Sequence, residues 1–163
     1  MSTSERTDPS DATGFEVFAA EFGPRLYQAL VPVAGIDAAH DAASDALVYA
    51  WRHWERIAAM DNPEGYLYVM ARRQAQRTVR PARPGLPSPP PDELPDVEPG
   101  LADALDRLSE MQRQVVYLVE GFGWGLTDVS RLLDISVSTV RNHLARGLER
   151  LRAELRVGTG SDA

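Results

Sequence analysis

Four residues in the last third of the chain, Ser138, Arg141, Asn142 and Ala145, have the types and spacing to meet the edges of base pairs. An arginine guanidinium pairs with guanine, an asparagine amide with adenine, and a serine or threonine hydroxyl with either. At 100° per residue all four fall on one side of a helix. Val140, Leu144, Leu148 and Leu151 recur every three or four positions on the other side. Ser136 can cap this helix, and Asp134 tolerates the left-handed backbone that a tight turn before it needs. Ahead of the turn, Val129, Leu132 and Leu133 give a short helix one apolar side. Residues 123–152, GWGLTDVSRLLDISVSTVRNHLARGLERLR, therefore predict a helix-turn-helix. An amphipathic hairpin with a charged outer face is often only a solvated helix pair. Periodicity alone does not explain the turn residue, the cap and the basic tail of Arg141, Arg146, Arg150, Arg152 and Arg156 against Glu149 and Glu154. Such arginines can neutralise phosphates while the start of the helix approaches the bases.

Other chemistries find little support. The chain has no cysteine, which excludes disulfides and thiolate metal sites. Its histidines, His40, His53 and His143, are scattered, and none has metal-spaced partners. No phosphate-cradling glycine loop or nucleophile elbow occurs. The expectation is a protein with no enzymatic activity, cofactor, metal or small-molecule substrate. No apolar run approaches the ~20 residues of a membrane span, and the N-terminal MSTSERTDPSDATG lacks an apolar secretory core. A cytoplasmic protein without membrane contact is expected.

Charge qualifies the DNA hypothesis. All 17 basic residues are arginine, and 24 acids leave a net charge of −7 and a pI near 4.9. Phosphate neutralisation supplies most non-specific DNA affinity, so a protein that grips DNA unaided is normally basic. Residues 1–80 hold 8 arginines and 11 acids, residues 81–100 hold 1 and 4, and residues 101–163 hold 8 and 9. The acids are thus dispersed and densest in the middle. Either the DNA contact is local and weak, or a partner delivers the DNA.

The elements that must position these residues are all helical, since no period-two pattern survives anywhere. PARPGLPSPPPDELPDVEPG (81–100) holds most of the 12 prolines and predicts an extended, semi-rigid linker. Before it, a first helix spans about 15–33, with Phe15, Phe18, Phe22, Leu26 and Leu30 on one stripe, bent or interrupted at Gly23-Pro24. A second runs from about Asp37 to Ile57 and buries Ala43, Leu47, Ala50, Trp51 and Trp54. The third has Asn62 as cap and Pro63 at its first position. It buries Leu67, Met70 and Ala71 and collects Arg72, Arg73, Gln76, Arg77 and Arg80 on its exposed side. After the linker, Leu101, Leu105 and Leu108 begin one helix, and Val115, Val116, Leu118 and Val119 form another. The expected layout is all-α: a disordered tail (1–14), a helical domain (15–80), the linker, a second helical domain (101–156) and a disordered tail (157–163).

This architecture resembles an extracytoplasmic-function (ECF) sigma factor of the sigma-70 family, a subunit of RNA polymerase. HDAASDALVYAWRHWERI followed by NPEGYLYVMARRQAQRTVR is similar to the family's region 2. LDRLSEMQRQVVYLVEGFGWGLTDVSRLLDISVSTVRNHLARGLERLRAEL is similar to its region 4. The resemblance covers about residues 15–156. It implies a transcription initiation factor that binds RNA polymerase core, at the β′ clamp helices and the β flap, and directs promoter recognition and melting. An anti-sigma factor is a possible further partner.

Carried over residue by residue, the resemblance assigns the clamp-helix contact to Asp41, Ser44 and Asp45, where Ser44 stands in place of the family's Gln and His40 in place of a common Glu. It assigns the −10 element to Arg56, Asp61 and Asn62 in a loop and to Tyr66, Arg72, Arg73, Gln76, Arg77 and Arg80 on the third helix. Melting requires a base taken out of the stack and cations that track the freed strand. Tyr66, Arg73 and Arg77 replace the family's Trp, Asn and Asp, which makes this face richer in arginine. Apolar spacing also accounts for Tyr66, Trp51 and Trp54 as plain core residues. The −35 element falls to Ser138, Thr139, Arg141, Asn142 and Arg146, with Arg141 and Asn142 at base edges and Thr139 and Arg146 at phosphates. Gly125 replaces a capping Ser or Thr, and Asp134 replaces the usual turn glycine. The alternative is a sigma-like DNA-binding regulator that no longer works productively with core polymerase. The same helix-turn-helix occurs in response regulators, but residues 15–80 would then go unexplained. Promoter sequence, regulon and inducing signal are not encoded in any of these features.

Overall fold

The computed structural model describes residues 9–78 and 100–159, and all their regular structure is helical. Two compact units result, one built on the helices before residue 79 and one on those after residue 99. The Pro-rich segment falls almost wholly outside the described residues. Among the described residues no helix is long and apolar enough to cross a membrane.

The first unit contains α1 (Pro9–Ala34), α2 (Ile36–Arg52), the short α3 (Trp54–Ala58) and α4 (Pro63–Thr78). Its core has a division of labour. Every buried residue of α2 is an alanine: Ala39, Ala42, Ala43, Ala46 and Ala50. The bulk comes from α1, through Phe22, Leu26 and Leu30, from Ile57 of α3, and from Leu67 and Tyr68 of α4. A smooth alanine face lets neighbouring backbones approach closely, and larger side chains from both sides fill the space. Gly35 supplies the single-residue hinge between α1 and α2. Its φ of 80° is open to glycine at little cost, and its amide still reaches Val31 O at 2.9 Å.

Several expectations need correction here. First, α1 starts at Pro9, well before residue 15, so part of the expected N-terminal tail is helical. Proline suits a first helical position, but the apolar stripe that made the helix visible begins only at Phe15. Second, α1 is unbroken at Gly23-Pro24 and holds both Pro24 and Pro32 within it. An interior proline costs ~3 kcal/mol; here Phe22, Leu26, Ala29 and Leu30 are all buried around it and offset that loss. Third, the expected second helix divides at His53, whose φ of −128° and ψ of 29° leave the helical region. The break accompanies an aromatic cluster in which Trp54 meets Phe15 and Phe18 at centroid distances of 5.5 and 5.0 Å. Trp51 is not core: it is 43% exposed, touching Phe15 edge-on at 5.0 Å, because it lies off the alanine stripe. Met70 is likewise only half-buried.

The second unit contains α5 (Leu101–Asp106), α6 (Glu110–Val116), a π-helical turn (Tyr117–Gly121), α7 (Leu126–Leu133) and α8 (Val137–Thr159). Ser109 starts α6 through a capping box: its Oγ accepts from Gln112 N at 3.2 Å, and Gln112 Oε1 accepts from Ser109 N at 3.3 Å. After the π turn, Gly123 reverses the chain at φ 71°. The Trp124 amide returns to Leu118 O at 2.9 Å, which delivers the indole to the core. Val115, Leu118, Val129, Leu132 and Val140 are buried with it. A flanking cluster joins Ala104, Leu108, Val116 and Leu151 with Leu144, Leu148 and Leu155. Helix α8 runs on to Thr159, so residues 157–159 of the expected C-terminal tail are helical too.

At Gly147 α8 packs close against α6: a Cβ there would stand 2.8 Å from Val116 Cγ2. Valine is stiff at χ1 and cannot swing aside. In an open helix, alanine would be favoured over glycine by ~1 kcal/mol; overpacking a core typically costs ~1–3 kcal/mol and outweighs it. Gly147→Ala is expected to lower stability in urea unfolding followed by circular dichroism. The same change in a Val116→Ala background should stabilise, because the opposing methyl is gone.

Candidate nucleic-acid interface

The turn before α8 is built from short side-chain bonds. Among the described residues, Asp134 is the non-glycine residue with positive φ, at 54°. Ser130 Oγ donates to Ile135 O at 2.5 Å while Ile135 N donates to Ser130 O at 3.1 Å, closing the turn from both directions. Ser136 then caps α8: its Oγ accepts from Thr139 N at 3.1 Å. The same oxygen lies 2.7 Å from Thr139 Oγ1 and 2.9 Å from Ser138 Oγ. The first turn of α8 carries no acid, so its free amides and the helix dipole present positive potential to an approaching phosphate.

Along α8 the expected division of faces is present. Val140, Gly147 and Leu151 are buried, and Ser138, Arg141, Asn142, Ala145 and Arg146 are exposed. Thr139 differs from them in being half-buried; its hydroxyl, like that of Ser138, is engaged by Ser136. Arg150 and Arg152 extend the exposed charge along the helix, with Glu149 just before them.

In the first unit, Asp41, Ser44 and Asp45 are exposed along one side of α2. Two of them are engaged. Ser44 Oγ donates back to His40 O at 2.9 Å, and the Asp45 carboxylate accepts a hydrogen bond from the Gln74 amide of α4. Val48 and Trp51 are exposed on the same side, one and two turns on.

Arg56, expected in a loop, sits on the five-residue α3. Asp61 is exposed in the turn that follows. Asn62 is half-buried and acts as the cap of α4: its Oδ1 accepts from Gly65 N at 2.9 Å. On α4, Tyr66, Arg73, Gln76 and Arg77 share an exposed arc with Val69, and Arg72 is half-buried at its margin. Arg80 lies outside the described residues. Tyr66 is 38% exposed, so its role is not plain core packing.

Tyr49 is a residue the sequence reading missed. It is half-buried on α2, with Arg56 Nη2 donating to its hydroxyl at 2.5 Å and Tyr66 Oη 3.4 Å from the same oxygen. Its ring packs on His53 at 4.5 Å. The hydrogen bond with Tyr66 draws the Tyr49 phenol below its ordinary range against the opposing effect of burial, and the Arg56 guanidinium adds to the lowering. Tyr66 is pushed up, first by the same hydrogen bond and then by burial. The seven-residue interval from Tyr49 to Arg56 was a usable signal, since it places both on one side of a helix.

Comparison with known proteins gives these two sets of residues a common frame. Residues 18–84 match the family Sigma-70 region 2, and residues 100–151 match Sigma-70, region 4. No curated protein matches the sequence. Among solved structures, the chain is similar to the sigma factor RpoE from Bartonella quintana, in complex with the anti-sigma factor NepR. That match has a TM-score of 0.58 at 20% identity and covers 88% of this chain and 98% of RpoE. It is also similar to CnrH, in complex with the cytosolic domain of CnrY, with a TM-score of 0.57 at 23% identity, covering 94% of this chain and 95% of CnrH. The two structures share the fold, and the two regions match in order and span most of the sequence. The chain belongs to the sigma-70 family and carries its region 2 followed by its region 4.

Proposed function

We propose that this chain is a dissociable sigma subunit: it binds RNA polymerase core, directs it to promoters and helps to open them. One observation carries the assignment, the order of region 2 and region 4 along one chain, and the exposed polar face of α8 agrees with it. In this scheme residues 15–80 serve core binding and the −10 element, residues 81–100 tether, and residues 101–156 read the −35 element. Arg141 and Asn142 meet base edges, and Arg146 meets phosphate together with the amides at the start of α8. Ser138 is exposed and approaches a base edge with its hydroxyl bonded to Ser136, whereas the half-buried Thr139 contributes through its bonds to the cap. On α4, Tyr66, Arg73, Gln76 and Arg77 face the −10 strand, with Arg72 at the edge of that surface; Arg80, beyond the described residues, is assigned the same role. Arg56 and Asp61 approach from α3 and the turn, and Asn62 holds the start of α4. Asp41, Ser44 and Asp45 form the core-facing side of α2, and the region 4 domain meets the β flap. The role is regulatory rather than catalytic, and its place is the cytoplasm, beside polymerase.

The acidic balance fits this role. A subunit delivered by polymerase does not need strong affinity of its own for DNA, and a net charge of −7 keeps the free protein off promoters. RpoE was solved with an anti-sigma factor and CnrH with a cytosolic domain of another protein. By analogy we infer a protein antagonist for this chain.

A second reading rests on α2. Ser44 turns its hydroxyl back to its own helix and Asp45 is engaged by Gln74, which leaves less of this side free for core. A sigma-like regulator without productive core binding follows if that loss is decisive.

Three outcomes are expected. Added to sigma-free core polymerase, the chain should give run-off transcripts from genomic fragments that share a two-part promoter; failure to bind core in a pull-down would favour the second reading. Ser44→Gln should tighten core binding in titration. Arg141→Ala and Asn142→Ala should each lose ~1–3 kcal/mol of promoter affinity, with relaxed preference at one −35 base pair apiece, read by competition among single-base promoter variants.

A further inference from the structure

The Tyr49 hydroxyl stands where α2, α3 and α4 come together, and it touches two groups that face solvent. Tyr66 offers a ring on the exposed arc of α4 beside Val69 and Arg73. Arg56 offers a guanidinium with five donor positions, of which the bond to Tyr49 at 2.5 Å uses one. Without an anchor, both would be mobile: an exposed arginine samples many rotamers, and an exposed phenol ring turns about two bonds. A surface that receives an unpaired base needs a fixed aromatic face for stacking and a fixed donor beside it. The Tyr49 oxygen fixes both at once, and its own ring is braced by His53 at 4.5 Å.

We infer that Tyr49 is a positioning residue for strand capture, holding the Tyr66 ring as a stacking face and the Arg56 guanidinium as a donor for one unpaired base of the melted promoter. This assignment rests on the proposed role of the α4 surface at the −10 element. Tyr49 touches no base itself; it acts through the two side chains it ties. The hydroxyl is the working group, so phenylalanine at this position keeps the packing on His53 and removes only the tie.

The test uses holoenzyme formed from the full chain and core. Its probes are a fluorescent single-stranded oligonucleotide carrying the −10 sequence found by run-off transcription, and the set of its single-base variants. Tyr49→Phe is expected to weaken oligonucleotide binding about fivefold, the worth of one hydrogen bond, and to flatten the preference at one base. The unfolding midpoint and core affinity should not change. The double variant Tyr49→Phe/Arg56→Ala should fall short of Arg56→Ala by less than the fivefold that Tyr49→Phe loses in the parent, because the tie to Arg56 is already broken and only the tie to Tyr66 remains to be lost. If Tyr49→Phe binds as the parent does while Tyr66→Ala and Arg73→Ala bind weakly, the inference is overturned and the role of α4 stands. If Tyr66→Ala and Arg73→Ala also bind as the parent does, the role of α4 falls and the inference with it. A lowered unfolding midpoint or core affinity in Tyr49→Phe would make the residue structural and overturn the inference as well.

Discussion

The first unit depends on how closely helices can pack against α2. Its fully buried residues are all alanines, so the larger side chains of the shared core come from α1, α3 and α4. That closeness has functional consequences because polar side chains at the margins of the seam come within bonding range. Asp45 of α2 meets Gln74 of α4, and Tyr49 of α2 meets Tyr66 of α4. A leucine at position 46 or 50 would push the helices apart, and groups that bond at about 3 Å lose contact with a shift of even 1 Å. The helix proposed to face polymerase and the helix proposed to face the opened strand are in this way held in register by the same seam.

The second unit solves a different problem, the aiming of one helix. The rotation of α8 is set at its start by Asp134, Ser130 and Ser136 and along its length by Val140, Gly147 and Leu151. A helix fixed at both cap and core presents its outer residues within a narrow arc. Recognition of a base edge tolerates little angular error, since hydrogen bonds weaken steeply off axis. Serine hydroxyls do most of the fastening, and each bond closes within five residues of sequence.

How far the sequence disclosed this structure varied with the range of the interactions. The cap at Ser136, the left-handed Asp134 and the faces of α8 were legible because each is decided within a few residues. The Asn62-Pro63 start of α4 was legible for the same reason. The early start of α1 and its continuity through Pro24 were not, because local propensity argued against helix and packing against α2 and α4 prevailed. Trp51 was misplaced because large aromatics are usually taken as core, although the α2 core was already complete with alanine. Tyr49 went unnoticed because its partners lie on two other helices. Only the half of that arrangement at a spacing of seven residues left any mark on the sequence.

The π-helical turn at Tyr117–Gly121 has a consequence for how the gene can change. Such a turn holds one residue more than an α-helical turn would, and it sits between the helix that fixes Val115 and the reversal that buries Trp124. Deleting one residue there would leave a normal α-turn with all its backbone bonds made. It would also draw everything that follows back by about 1.5 Å and rotate it by about 100°. Trp124 would leave its place in the core, and the helix-turn-helix behind it would start from the wrong angle. Apart from the buried Leu118 and the left-handed Gly123, residues 117–123 can therefore drift in composition far more readily than in number, and length is the property that selection is bound to keep.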